Sequence, residues 1–104
     1  MIRLVLTTFS SMEDAARVVR TLVEEKLAAC GTMVPGARSI YFWEGKIEDS
    51  QEICVTLKTP VEKAAQLEAR LRALHPYETP EIIALDPAAV SGDYAAWVMK
   101  TCLS

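Results

Sequence analysis

The stretch from Cys30 to Lys58 constrains this chain most. It is a long run of strand-type residues with one interruption, Pro35-Gly36, and one turn signal, Glu44-Gly45-Lys46. A run that doubles back at a single short turn reads as a β-hairpin, with strands over Cys30–Glu44 and Ile47–Lys58. Proline removes an amide donor and glycine loosens the backbone, so Pro35-Gly36 predicts a bend or bulge and places its strand at a sheet edge. Strand alternation sends Tyr41 and Trp43 to one face and Ile40 and Phe42 to the other. On the return strand Ile53, Val55 and Leu57 share the core face, while Glu52, Cys54, Thr56 and Lys58 share the opposite one.

The rest of the chain supplies partners for that hairpin. Ile2, Leu4 and Leu6 alternate with Arg3, Val5 and Thr7, predicting a first strand that ends near Thr7-Thr8. Ser10 followed by Glu13 fits a capping box, and an apolar stripe of Ala15, Val19, Leu22, Val23 and Leu27 predicts a helix over Met12–Leu27. A second helix should start at Thr59-Pro60-Val61-Glu62, with Thr59 as N-cap and Pro60 in the first position. It must stop at His75, because Pro76 disfavours helical geometry in the residue before it. Glu81–Leu85, between prolines, reads as a fourth strand, and Asp93–Cys102 as a terminal helix packing Tyr94, Trp97 and Val98. The order βαββαβ plus a C-terminal helix is an α+β, ferredoxin-like arrangement in a single domain over residues 1–104.

Composition removes several classes of function. The chain has 104 residues, 51% of them apolar, enough for one core but leaving much surface that a partner subunit would cover. A net charge of −3 and the lack of any Lys/Arg run argue against nucleic acid. The apolar start is too short for a membrane span or a signal segment, so a cytoplasmic, membrane-free protein is expected. Cys30, Cys54 and Cys102 form no C-x-x-C pair, which argues against a zinc site or disulfide framework and against a heavy-metal chaperone. With one histidine, no Ser/His/Asp set and no isolated pair of carboxylates, an enzyme is not expected. The two central strands of the expected sheet carry no aromatic residue, unlike RNA-recognition modules.

Leu22–Cys30, Val34-Pro35-Gly36, Ser39–Ile47 and Leu74–Leu85 resemble, in order, the defining blocks of the CutA family of divalent-cation tolerance proteins. The resemblance covers essentially the whole chain. It implies a homotrimer similar in assembly to the PII signal-transduction proteins, in which the overlong hairpin pairs with edge strands of neighbouring subunits. It also implies a role in tolerance of copper and other divalent cations, with no required cofactor. Cys30 and His75 match metal-associated positions of the family. Some members carry a Cys where this chain has Thr7 and a second His where it has Leu74, so this ligand set is the thinner one.

His75, the only imidazole, is the best candidate ligand for Cu(II) or another divalent metal, with Glu78 close enough in the loop to assist. Capping the last turn of its helix explains His75 as well. Cys30 follows Ala28-Ala29, where packing explains a thiol as well as coordination does. Tyr41, Phe42 and Trp43 read as subunit interface or as the wall of a cleft, and Glu52 and Lys58 as an inter-subunit ion pair or contacts to a small anion. Two functions stand: a metal-tolerance protein that binds metal modestly, and a PII-like signalling or scaffold trimer that holds a small molecule or protein partner in its clefts.

Overall fold

The computed structural model describes every residue from Met1 to Ser104. Its elements are β1 (Ile2–Phe9), α1 (Met12–Glu24), β2 (Cys30–Trp43), β3 (Lys46–Pro60), α2 (Val61–Leu74), β4 (Ile83–Leu85) and α3 (Gly92–Leu103). The four strands form one antiparallel sheet in the order β2-β3-β1-β4, which is the ferredoxin-like arrangement expected. β2 is an edge strand, and its register slips between Val34 and Ala37, where Pro35-Gly36 forecast a bulge. Glu44 and Gly45 both have positive φ, the two-residue turn that matches the twist of a hairpin and that Gly45 adopts without strain.

α1 and α2 cover one face of the sheet. Val18, Val19 and Leu22 from α1 and Leu67 and Leu71 from α2 close over Val5, Phe9, Ile53, Val55 and Leu57. Close approach is needed at Gly31, where a Cβ would meet Val19 Cγ1 at 2.5 Å. The other face is covered only at one end, where Val98 and Cys102 of α3 pack on Ile2 and Ala29.

Several boundaries differ from expectation for local reasons. β1 continues through Phe9, because Phe9 is a fully buried core residue opposite Ile53. The cap of α1 is therefore Ser11, whose hydroxyl accepts from the Asp14 amide at 3.1 Å, and not Ser10. α1 stops at Glu24, short of Leu27. Thr59 does not cap α2: it lies in β3 and its hydroxyl donates to the Leu27 carbonyl at 2.7 Å. Tyr94 and Trp97 are not what α3 buries; they are exposed and lean on each other at 5.7 Å between ring centroids.

Candidate functional site

The hairpin outruns the helices and curves over the segment that follows α2. Between them lies a groove of about 650 Å³. One wall comes from the hairpin, whose alternation and register set Ser39, Tyr41 and Trp43 beside Glu48, Ser50 and Glu52. The other wall is the Tyr77–Glu81 loop, and Thr8 and Ser10 at the end of β1 form the floor.

His75 anchors that loop. It is 7% exposed, stacks on Phe9 with centroids 4.2 Å apart, and ends α2 with its amide donating to Leu71. Its Nδ1 accepts from the Tyr77 amide at 3.1 Å, and because an amide only donates, Nδ1 is unprotonated. The proton is on Nε2, which donates to the Thr8 carbonyl at 2.8 Å. Burial lowers the histidine's pKa, against the opposing pull of the Thr8 carbonyl and the charges of Glu52 and Asp14. The ring is a neutral clamp between the loop and β1, and as folded neither nitrogen offers a vacant lone pair.

Past the clamp, the Tyr77 hydroxyl donates to Glu52 Oε2 at 2.7 Å. Burial, then this bond, push the Tyr77 phenol far above its ordinary range, so it stays protonated as the donor. Glu52 is only 8% exposed. Across the hairpin the Tyr41 hydroxyl lies 3.3 Å from Ser50 Oγ. Glu48, Glu52, Glu78 and Glu81 all line the groove, no Lys, Arg or His does, and none of the four forms an ion pair.

The residues singled out from sequence fall in three places. Tyr41, Trp43, Glu52 and Glu78 line the groove, with His75 behind its far wall. Phe42 points from the other face of the hairpin and is 75% exposed. Cys30 and Lys58 lie across from each other at the other end of the sheet, level with Leu4, whereas His75 is level with Thr8, about 13 Å further along β1. There the Lys58 ammonium donates to Thr32 at 2.6 Å and approaches the Cys30 sulfur at 3.8 Å. No three His, Cys, Asp or Glu side chains of the chain gather as a metal site. Tyr77, Glu48 and Glu81 were not anticipated. Strand alternation could have placed Glu48 on the same face as Glu52, but nothing local brings the Tyr77–Glu81 loop against the hairpin.

The sequence model of the family described as CutA1 divalent ion tolerance protein matches residues 3–101. A divalent-cation tolerance protein CutA of Thermus thermophilus is 43% identical over 96 residues, which span 92% of this chain and 93% of the relative. The crystal structure of the divalent ion tolerance protein CutA1 from Ehrlichia chaffeensis aligns with a TM-score of 0.95 at 34% identity, covering 99% of this chain and 96% of that one. A structure from Archaeoglobus fulgidus, described as a periplasmic divalent cation tolerance protein CutA, aligns with a TM-score of 0.93 at 35% identity over 98% of this chain and 99% of that one.

Proposed function

The chain belongs to the CutA1 family of divalent ion tolerance proteins, and from that premise we propose that it is a homotrimer without catalysis of its own, acting in the cell's tolerance of copper and other divalent cations. The observation that carries the assembly is the uncovered sheet face. Leu4 pairs with Leu85 and Leu6 with Ile83, so these four side chains share one face with Val34, and no helix covers them there. Ile83, Leu85 and Val34 are 45–54% exposed, and Ile40, Phe42 and Ile47 of the hairpin 67–75%. A lone subunit with this much apolar area beside an open strand edge would aggregate, and closed pairing of three copies removes both liabilities.

The metal is bound modestly, with His75 as principal ligand, Glu78 beside it and Cys30 as a thiolate contribution from elsewhere in the trimer. Modest affinity follows from the cost of freeing the ring, since a metal must displace the Tyr77 amide or the Thr8 carbonyl. With its one histidine committed to backbone partners, the groove offers no free imidazole as a base, which supports a non-catalytic role. No helix is long and apolar enough to cross a membrane. Three unpaired cysteines fit a reducing, cytoplasmic setting.

Sedimentation equilibrium at low micromolar concentration should give the mass of a trimer, and a folded monomer would sink the assembly. Calorimetry with Cu(II) on the wild type and on His75→Ala checks the ligand. Unchanged stoichiometry and affinity in the variant would remove His75 from the site. A second reading, a trimer that senses a small molecule, is favoured by the groove itself.

A further inference from the structure

We propose that the groove between the hairpin and the Tyr77–Glu81 loop binds an organic cation with more than one ammonium group, of the aliphatic polyamine class. This rests on the small-molecule reading and names its ligand.

The first observation is an uncompensated charge. Glu52 is more than nine-tenths buried, and the one partner its carboxylate has is the neutral Tyr77 hydroxyl on Oε2. Oε1 has no hydrogen-bond partner and is not sealed off, so it opens to the groove as a free acceptor that a cation there would pair with. The nearby arginine of the hairpin is committed elsewhere, because Arg38 forks onto Asp49 with contacts of 2.7 and 2.6 Å on the hairpin's other face. Lys46, opposite Trp43 at the tip, is on the groove's side but is exposed, outside the lining, and makes no ion pair.

The second observation is the character of the walls. Tyr41 and Trp43 line the same cavity, and aromatic faces attract ammonium groups through their quadrupole. An anion is disfavoured by the four carboxylates. A bare divalent ion is disfavoured because no three donors gather. Glu48 and Glu52 lie about 13 Å apart along β3, and Glu78 and Glu81 stand on the facing wall. Such spacing suits several ammonium groups on one flexible chain better than a single compact charge.

The hairpin divides its two faces between two tasks. Ile40, Phe42 and Ile47 point away from the groove and supply the apolar surface for assembly. Tyr41, Trp43 and Glu48 face inward, so the exposed apolar side chains near the hairpin's tip lie on the side opposite the groove.

Calorimetric titration with spermidine at fixed ionic strength is the test. The wild type should give saturable binding at one site per subunit. Glu52→Gln should weaken it at least tenfold and Trp43→Leu several-fold. Glu48→Gln alters an exposed residue, so it should weaken binding in a folded protein even where circular dichroism shows that Glu52→Gln has unfolded. No saturable heat, as expected where a neighbouring subunit fills the groove, overturns the proposal. So does equal affinity in folded Glu52→Gln or in Glu48→Gln, or displacement of spermidine by magnesium at matched charge. Sedimentation of the same samples separates the two ideas, since spermidine binding by a monomer would leave this proposal standing and remove the trimer.

Discussion

A histidine that accepts at one ring nitrogen and donates from the other has no room for a second proton. Protonating His75 would aim an N–H at the Tyr77 amide, releasing the loop that carries Tyr77 to Glu52. Because burial holds the folded-state pKa below that of an ordinary imidazole, about 6.5, the contribution to stability is fully present above about 6.5 and is lost as pH falls through the folded-state value. Asp86, Asp49 and Glu25, lowered by hydrogen bonds from Arg3, Arg38 and Arg70, act in the same sense but in the lower carboxylate range. Urea unfolding at about pH 7.5 and about pH 5.5 should therefore show a less stable wild type at the lower pH, and His75→Gln, which keeps a donor for Thr8, should lose most of that difference. Equal slopes would assign the pH response to other groups. The sequence identified His75 as the residue to watch because it is the only histidine and precedes a proline. Its partners were not legible, since Thr8 and Phe9 meet it only through the fold.

At the scale of elements, periodicity carried the topology and local chemistry misplaced the ends. Thr59 looked like a cap because threonine precedes Pro60, yet β3 runs on to pair Thr59 with Arg3, and its hydroxyl serves the Leu27 carbonyl instead. The end of α1 shows a similar competition. Lys26 sits at φ 60°, so that its amide reaches Val23 and the Leu27 amide reaches back to Leu22, which turns the chain out of the helix. The Leu27 side chain then packs against the core cluster that contains Leu22, which fixes the turn. A left-handed conformation costs a lysine about 1 kcal/mol that glycine does not incur. Lys26→Gly should thus raise stability by up to about 1 kcal/mol in chemical denaturation, reduced by the extra freedom glycine has when unfolded. A loss of 1 kcal/mol or more would mean that the lysine side chain holds this corner by another route.

Across the whole molecule the hairpin dominates the shape. The radius of gyration is 14.2 Å, against about 13 Å for a compact chain of this length, and the long axis is 45 Å beside 26 and 22 Å. The length of the hairpin was readable from one run of strand residues broken only at Pro35-Gly36 and the turn, as was the separation of Tyr41 and Trp43 from Phe42. The groove was not, because one wall of it is a loop whose Tyr77 meets Glu52 from 25 positions away. The same hairpin leaves Phe42 75% exposed, with nothing in its own subunit to shield it. An aspartate at that position would disturb the isolated subunit little, whereas a charge buried in a trimer interface without a partner costs several kcal/mol. Phe42→Asp therefore separates folding from assembly. For the wild type, melting temperature should rise with protein concentration, because association stabilises only the folded state. The variant should melt at a lower temperature that no longer depends on concentration, and should sediment as a smaller species. If it keeps both the mass and the melting behaviour of the wild type, the outer face of the hairpin is not where the subunits meet, and the uncovered Leu4–Leu85 face would have to carry the assembly alone.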